Sequence, residues 1–431
     1  MKIFFRLVPS LILFALVLIP FAVAGQNQTV ENRTGFTIEE LQQRAEENYP
    51  LVKQYGLIEQ SRDFTISNAT RGYLPQIGLN AKVSFQSDVT QLPTAMPGVV
   101  AMNKDQYQAT LELNQTIWDG GAVASQVKIA RASSEAEKKK IEADLYIVRE
   151  RVNQLYFGVL LLEEQLKQND ILIGELNNNL NKVKAYVENG IATGPDLDAV
   201  KVELLKASQR RDELKMTAVT YREMLAALTG AEQVKSIYLT KPQGTIALVP
   251  SENRRPELAL LDAQMNLLTG RESAIKASLM PRLNFFVQGG YGNPGLNMLK
   301  NEFSTYYIGG VRLAWNFGTF YTAGNSKKLL KQSRESLMIQ RETFLFNSRL
   351  EESRQLNEAE KLAKQLKSDD EIISLRERIK RAAEVKVENG TMSVSDLIRE
   401  INAENLARQE KANHEIMHLL AIYSIKYLKN N

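Results

Sequence analysis

The sequence predicts a mainly α-helical fold with a β-barrel segment, built from two tandem copies of one unit. Three observations lead to this fold class: an internal repeat, pairs of strongly alternating strands, and helical runs too long for a globular domain. Three pairs of landmarks define the repeat, with offsets of 206, 197 and 200 residues: Pro75 with Pro281, Trp118 with Trp315, and Gly190 with Gly390. Two copies of one unit predict a pseudo-symmetric molecule, so a role assigned to one copy must be tested against the other.

The first 24 residues are expected to be an export signal rather than part of the fold. Lys2 and Arg6 form a basic region, an apolar run follows, and Ala22-Val23-Ala24 has the small-x-small pattern of a cleavage site. The apolar run is nearly long enough for an uncleaved membrane anchor, but Pro9 and Pro20 weaken such a helix. We therefore divide the chain into a signal peptide (1–24), a first repeat (25–230), a linker or equatorial insert (231–255) and a second repeat (256–431).

The composition excludes several classes of protein. The chain has no cysteine, so it relies on no disulfide and carries no lipid on an N-terminal cysteine. Its 54 basic and 50 acidic residues give a formal net charge of +4, and nucleic-acid binding usually needs a more concentrated basic patch. After residue 24 no apolar run approaches the roughly 20 residues of a transmembrane helix. Any membrane-spanning part would therefore consist of β-strands.

A helix is predicted for residues 36–73, before the first strands. Thr37 and Glu40 have the spacing of a capping box, and the apolar positions that follow are spaced three to four residues apart. Pro75 ends this helix because its ring disfavours helical backbone at the preceding residue.

Two long strands follow in each repeat. Residues 76–86 alternate apolar and polar side chains over 11 residues, and a tilted strand needs roughly 9–11 residues to cross a bilayer. Similar alternation occurs at 107–114, 283–291 and 307–317. A small soluble sheet is the simpler interpretation, but the strand length and the aromatic residues at strand ends favour a membrane barrel. These aromatic residues are Phe85, Tyr107, Trp118, Tyr291, Tyr307 and Trp315.

Each repeat then continues into a very long helical hairpin. Residues 122–189 contain no proline and approach ~100 Å as one helix. From Ile141 to Val187 the apolar residues keep an almost unbroken 4–3 spacing in which only Asn169 is polar, which is the heptad pattern of a coiled coil. The remaining hairpin helices are predicted at 197–228, 322–389 and 395–428, with a weaker apolar seam in the second copy.

The hairpins turn at Asn-Gly pairs. Gly190 and Gly390 suit the left-handed conformation that commonly ends a helix. Pro195 suits the first turn of the next helix in copy one, and Ser393 or Ser395 is the predicted cap in copy two.

Asp196 and Asp396 lie in the first turns of these return helices. A carboxylate at that place interacts favourably with the positive end of the helix dipole. On residue type alone this structural interpretation is the simpler one, and a functional role depends on the assembled protein.

His414 and His418 form an H-E-x-x-H sequence, the pattern of zinc metallopeptidases. They are the only histidines in the chain, and nothing acidic follows Glu415 to act as a third ligand. Zinc catalysis needs three protein ligands and an open position. We therefore interpret the match as chance and expect no metal, no cofactor and no enzymatic activity.

Four strands cannot close a barrel within one chain. An open sheet edge is not tolerated in lipid, and the smallest single-chain bacterial barrels have about 8 strands. The strands must then be pooled between copies, and three chains of four strands would give a 12-stranded barrel. The helices would form a second cylinder, an α-barrel, that projects from the membrane.

These features together resemble the TolC-type outer-membrane efflux proteins. The resemblance covers nearly all of the chain after residue 24. Its landmarks are the Leu74-Pro75 and Met280-Pro281 joints, the strand exits Trp118-Asp119-Gly120-Gly121 and Trp315-Asn316-Phe317-Gly318, and the Gly190 and Gly390 tips. Each motif is weak alone, but this order, found twice at near-constant offset, is specific.

The resemblance implies a homotrimeric channel-tunnel in the cell outer membrane, with its helical tunnel in the periplasm. Such proteins dock an inner-membrane pump through a periplasmic adaptor (membrane fusion protein). They export drugs, metals or polypeptides, as in tripartite efflux and type I secretion. The chain would then be a passive conduit.

The resemblance also implies roles for residues near the tips. Family members close the tunnel with aspartates at the positions of Asp196 and Asp396, and a ring of carboxylates attracts cations while its self-repulsion raises some pKa values. A tyrosine–arginine latch of the family is replaced here by Val387 and Met392, so Arg399 is the candidate for a different gate ion pair. The adaptor would contact the tip residues Asn189, Gly190, Thr193, Asn389, Gly390 and Thr391.

Two alternatives stand beside this interpretation. A periplasmic coiled-coil adaptor usually has one hairpin, a lipoyl-like β-domain and no membrane strands. A soluble structural coiled-coil protein would need neither an export signal nor barrel strands. The duplicated long strands argue against both.

Overall fold

The computed structural model describes residues 35–90, 102–243 and 252–430. The expected signal peptide lies outside the described residues, as does part of the predicted insert. Among the described residues, no helix combines the length and the apolar character needed to cross a membrane.

The elements follow the predicted order in both repeats. The first repeat contains α1 (Ile38–Asn48), α2 (Gln54–Arg71), β1 (Gln76–Phe85), β2 (Asp105–Trp118), α3 (Ala122–Glu188) and α4 (Gly194–Thr229). The second repeat contains α5 (Pro256–Ser278), β3 (Arg282–Asn293), β4 (Ser304–Ala314), α6 (Thr319–Glu388) and α7 (Val394–Lys429). The prediction of a mainly helical chain with four long strands is confirmed in the described residues.

The single helix predicted at 36–73 is instead two helices. α1 ends at Asn48, and Pro50–Lys53 forms a 3-10 turn before α2 begins. Pro50 has no amide hydrogen to donate and disfavours helical backbone at Tyr49, whose ψ of 130° is extended. The turn lets the chain change direction between the two helices.

The four strands form one antiparallel sheet in the order β1-β2-β3-β4, so the two predicted hairpins lie side by side. β2 pairs with β3 and thereby joins the repeats. β1 and β4 are the outer strands, and within the described residues each has only one partner strand. Leu79 and Val83 of β1 are 74 % and 73 % exposed, as expected for side chains that face lipid rather than a protein core.

β4 is shorter than the predicted strand, which extended to residue 317. It ends at Ala314, and the indole Nε1 of Trp315 donates a hydrogen bond to the Leu279 carbonyl at 3.0 Å. Oδ1 of Asn316 accepts from the Gly318 amide at 3.0 Å, which turns the chain into α6. Trp315 therefore closes the joint between helix and strand instead of continuing the sheet.

The main apolar core lies midway along α3, where α1, α4 and α7 converge. Val152, Tyr156 and Leu225 are completely buried there. Buried large apolar side chains stabilise a fold by roughly 1.5–3 kcal/mol each, so this level holds the helices together most strongly.

The start of the predicted insert belongs to this core. Val234 and Leu239 are buried in it. The hydroxyl of Tyr156 lies 2.9 Å from the Phe36 carbonyl oxygen and 2.5 Å from that of Thr240. The described part of the insert therefore fastens the beginning of the first repeat to α3.

The one polar residue of the predicted coiled-coil seam has a structural partner. Asn169 is buried, and its Nδ2 donates to the Ala207 carbonyl of α4 at 2.9 Å. A buried amide satisfied by one backbone carbonyl fixes the register of the two helices, because a shift would leave it unpaired.

The turn from β2 into α3 depends on Asp119 and two glycines. The Asp119 carboxylate accepts from the amides of Gly121 at 2.9 Å and Val123 at 2.6 Å. Gly120 and Gly121 have φ of +69° and +88°, the left-handed region that favours glycine. A Cβ at Gly120 would lie 2.5 Å from Cβ of Met280, whereas a Cβ at Gly121 would meet no described atom within 4 Å.

Gly120→Ala is therefore expected to destabilise the protein more than Gly121→Ala. Both variants place alanine in left-handed backbone, at about 1–2 kcal/mol, and only Gly120→Ala also collides with Met280. Thermal unfolding of the detergent-extracted protein, followed by circular dichroism, should show the lowest Tm for Gly120→Ala. Equal losses of Tm would mean that the contact with Met280 does not constrain the turn.

Candidate functional site at the hairpin tips

The first hairpin tip follows α3 and reverses the chain at Gly190, whose φ is +76°. The Gly190 amide donates to the Val187 carbonyl at 3.1 Å, and the Ile191 amide donates to the Tyr186 carbonyl at 2.8 Å. This pair of bonds is a Schellman motif, which satisfies carbonyls that the helix end leaves free.

The second tip has the same geometry. Gly390 has φ of +67°, and its amide donates to the Val387 carbonyl at 3.0 Å. The Thr391 amide donates to the Lys386 carbonyl at 2.8 Å. The repeat detected in the sequence therefore extends to the hydrogen bonds of the two tips.

Asp196 forms a reciprocal capping box with Thr193 at the start of α4. Its carboxylate accepts from the Thr193 hydroxyl at 2.6 Å and from the Thr193 amide at 2.9 Å. These bonds lower the pKa of Asp196, so the carboxylate is ionised at neutral pH. The capping role of Thr193 was missed because the third residue of the box is aspartate rather than the usual Glu or Gln.

At the start of α7 the cap is Ser393, one of the two predicted serines. Its Oγ accepts from the Asp396 amide at 3.1 Å and lies 2.7 Å from a carboxylate oxygen of Asp396. Arg399 forms an ion pair with the same carboxylate, three residues along the helix. The predicted partners therefore meet within one chain, while their role in a gate stays a prediction.

All six residues predicted to contact an adaptor are exposed. Asn189 and Asn389 each donate from Nδ2 to a carbonyl four residues earlier, at 2.8 Å in both tips. Their side chains are therefore turned back on their own helices, and the exposed backbone of the tip is available for contact.

The two positions of the missing latch lie in an apolar setting. Val387 is buried, and Met392 packs against an apolar cluster that joins α3, α4, α6 and α7 at their ends nearest the tips. This cluster includes Leu176, Val183, Val200, Ala383, Leu397 and Ile401. Near the tips, the two hairpins of one chain are thus held together by apolar contacts.

A buried group of charges above the tips was missed by the sequence analysis. Nζ of Lys380 lies 2.7 Å from Glu175 and 2.5 Å from Glu404, which joins α6 to both α3 and α7. Glu404 also pairs with Arg408 at 2.7 Å. Burial disfavours both charged forms, but the ion pairs outweigh it, so the pKa of Glu404 is lowered and that of Lys380 is raised.

Comparison of the repeats would have revealed this group. An offset of 200 aligns Lys380 with Leu180 and Glu404 with Leu204, so an apolar pair in the first hairpin is replaced by an ion pair in the second. The weaker apolar seam of the second copy therefore reflects charges that are paired inside the hairpin.

The H-E-x-x-H residues contact other side chains. Nδ1 of His414 lies 2.9 Å from Oδ2 of Asp369, and Glu415 pairs with Lys241 at 2.7 Å. His418 is half-buried, and burial lowers its pKa. In the part of the chain that the structure describes, no three His, Cys, Asp or Glu side chains are grouped to hold a metal ion.

Comparison with known proteins shows what the chain is similar to. A sequence model described as "Outer membrane efflux protein" matches residues 41–231, which are most of the first repeat. This part of the chain is therefore similar to the outer membrane efflux proteins. No curated protein sequence matches the chain at a significant level.

Several solved structures share the fold of this protein over 91 % of the chain. The outer membrane protein VceC of Vibrio cholerae is 14 % identical, with a TM-score of 0.67 and 96 % of its own chain covered. The open MtrE outer membrane channel of Neisseria gonorrhoeae is 14 % identical, with a TM-score of 0.67 and 89 % covered. The CmeC outer membrane channel of Campylobacter jejuni is 14 % identical, with a TM-score of 0.62 and 85 % covered.

The predicted resemblance to outer-membrane efflux proteins and the predicted fold class are confirmed. The matching family model describes outer membrane efflux proteins, and the solved structures with this fold are outer membrane proteins. The description of the matching family, which is efflux rather than catalysis, agrees with the expectation that the chain is not an enzyme.

Loss of the first tip's cap should loosen only that tip. Thr193→Ala removes the hydroxyl that bonds Asp196, at a cost of about 1 kcal/mol at the start of α4. Hydrogen–deuterium exchange should then accelerate in peptides covering residues 193–200 and stay unchanged in the equivalent residues 393–400. Equal exchange in the variant and the parent would show that the cap does not hold this turn.

Proposed function

We propose that this protein is an outer membrane efflux protein that acts as a homotrimer and forms the outer-membrane channel of a tripartite efflux system. Three copies of four strands and two hairpins supply 12 strands and six hairpins. One observation supports the proposal most directly. In the described residues, the sheet has two edges without a partner strand, and the helical layer has two sides without a neighbouring helix.

The free edges of the sheet require partners. Within the described residues, β1 and β4 have no partner strand along their outer edges, so their backbone groups there are unpaired. In lipid each such group costs several kcal/mol, so pairing β4 of one copy with β1 of the next is strongly favoured. Two copies would only reach the smallest barrel size, and three copies give the 12 strands that the family resemblance implies.

The helices have matching free flanks. α3 packs against α2 and α5 near the strands and against α4 and α7 towards the tips, while α6 packs against α5 and α7. One flank of the chain is therefore formed by α6, and the other is formed by α2 and α4. Large apolar side chains are exposed on all three helices, including Phe346 and Leu350 of α6, Phe64 of α2 and Met216 of α4. Two different flanks that meet head to tail generate a closed ring.

The tips form the periplasmic entrance in this assembly. Three copies of Asp196 and Asp396 place six carboxylates around the opening. Such a ring attracts cations and repels anions, which supports a role for these residues at the constriction. The intrahelical pair between Arg399 and Asp396 offsets part of this charge in each copy.

The proposed partners are a periplasmic adaptor and an inner-membrane pump. The adaptor contacts the exposed tip residues Asn189, Gly190, Thr193, Asn389, Gly390 and Thr391. The pump supplies the energy, and the channel provides a passive path for small molecules to the exterior. Export of polypeptides in type I secretion would use the same path with a different pump.

The assembly is tested by the mass of the protein extracted from outer membranes, measured by light scattering corrected for bound detergent. A mass of three chains is expected, because three copies close both layers. A water-soluble monomer or dimer would contradict the pooled barrel and return the strands to an ordinary soluble sheet.

The constriction is tested by removing charge while the caps are kept. Asn retains an oxygen that accepts the bonds from Thr193 and Ser393, so Asp196→Asn with Asp396→Asn should change the charge of the entrance without unfolding it. In planar bilayers we expect weaker cation selectivity and weaker block by a trivalent cation added at the tips. Asp198→Asn, two residues further along α4, is the matched control and should leave both unchanged. Unaltered block in the double variant would contradict the assignment of Asp196 and Asp396.

A further inference from the structure

An apolar groove of about 610 Å³ lies in the first repeat, where α3 and α4 meet the 3-10 turn before α2. Its apolar lining includes Tyr49, Pro50, Leu155, Tyr221, Met224 and Leu228. Met224 is 51 % exposed. A broad exposed apolar surface of this kind is typical of a protein–protein contact.

The equivalent place in the second repeat is filled by another helix of the same chain. The repeat offsets of 206 and 200 align Tyr49 with Arg255, Pro50 with Pro256, and Leu228 with Leu428. At this place α3 of the first repeat packs against the end of α7 and the start of α5. The second repeat therefore shows what the groove of the first repeat accommodates.

The side chain that fills the second-repeat site is Tyr146 of α3, which is 3 % exposed. Its ring stacks on Tyr427 with centroids 4.7 Å apart and an interplanar angle of 9°. Its hydroxyl donates to the Tyr427 carbonyl at 2.6 Å, and the guanidinium of Arg255 lies 5.5 Å from its ring centroid. One aromatic residue of a long helix thus anchors one repeat on the other.

Alignment of the two repeats also identifies the residue that would occupy the groove of the first repeat. An offset of 200 converts Tyr146 into Phe346 of α6, which is 55 % exposed, and converts Tyr427 into Ala227, whose small side chain lines the groove. We propose that Phe346 of one copy packs into this groove of the neighbouring copy. The proposal rests on the homotrimer proposed above and assigns the residues that hold its helical layer together.

A second set of residues, on α4 and α7, supports the same contact. Ile416 and Leu419 of α7 are buried in the core that includes Phe157 of α3. Their equivalents on α4, Met216 and Val219, are equally apolar but 64 % and 41 % exposed. The same helix face is therefore apolar in both repeats but is covered only where the chain supplies a neighbour, so the missing cover is a second copy of α6.

The geometry also determines how copies associate. Phe346 and the groove lie on opposite flanks of one chain, so each copy offers one of each to its two neighbours. Such a contact is head to tail, and identical positions of two copies do not meet. Cross-linking can detect whether Phe346 of one copy lies beside the groove of the next copy. It therefore separates the proposed contact from other contacts that could hold a trimer together.

The absence of cysteine from the chain makes disulfide cross-linking a clean test. In the double variant Phe346→Cys with Met224→Cys, oxidation in outer membranes should yield covalent dimers and trimers on a denaturing gel without reductant. Each single variant should remain monomeric on that gel. The matched control is Asn347→Cys with Met224→Cys, because Asn347 is exposed and lies about 100° further round α6.

The outcomes separate this contact from the proposed assembly. If the parent has the mass of a trimer but the Phe346 pair does not cross-link, or links no better than the Asn347 pair, the assigned contact is wrong and the homotrimer stands. If the parent protein is a monomer, both the assigned contact and the proposed homotrimer are wrong.

A second measurement does not depend on introduced cysteines. Phe346→Ala should lower the temperature at which the trimer dissociates in sodium dodecyl sulfate, and Asn347→Ala should not. An unchanged dissociation temperature for Phe346→Ala would overturn the contact.

Discussion

The unpaired edges of a four-stranded sheet are the constraint on which the rest of this protein depends. In the part of the chain that the structure describes, β1 and β4 each have one free edge, and lipid offers no hydrogen bonds to satisfy it. A single chain therefore cannot pair all the backbone groups of its own sheet in a membrane. The helices that continue from the strands also lack a neighbour on each side. Free flanks on α6 and on α2 with α4 are the helical counterpart of the free sheet edges. In both layers, one flank differs from the other, which is the condition for a closed ring of identical chains.

Duplication gives the two repeats the same backbone plan but different ways of holding their helices together. The first hairpin places Leu180 and Leu204 where the second places Lys380 and Glu404. The charged pair is buried and linked to Glu175 of the first hairpin, so removing one partner would leave an uncompensated charge in the interior. The second hairpin therefore combines apolar contacts near its tip with an ionic layer above it.

Helix capping explains the local geometry of the tips before any gate is considered. Asp196 completes a capping box with Thr193, and Asp396 bonds Ser393 and Arg399. The two interpretations of these carboxylates are compatible, because a cap fixes the position of a charge that an assembled ring can use. Their positions near Gly190 and Gly390 follow from the Schellman turns, which set where each return helix begins.

The sequence by itself determined the repeat, the strand alternation, the long helices and the Asn-Gly tips, because these depend on local periodicity and on glycine and proline stereochemistry. It placed the hairpin ends to within a few residues and identified Asp196, Asp396 and Arg399 as neighbours of the tips. Only the tertiary structure decided that Pro50 divides the first helix, that Trp315 leaves the sheet, and that Lys380 and Glu404 pair in the interior. These features depend on contacts between residues far apart in the chain, which periodicity does not encode.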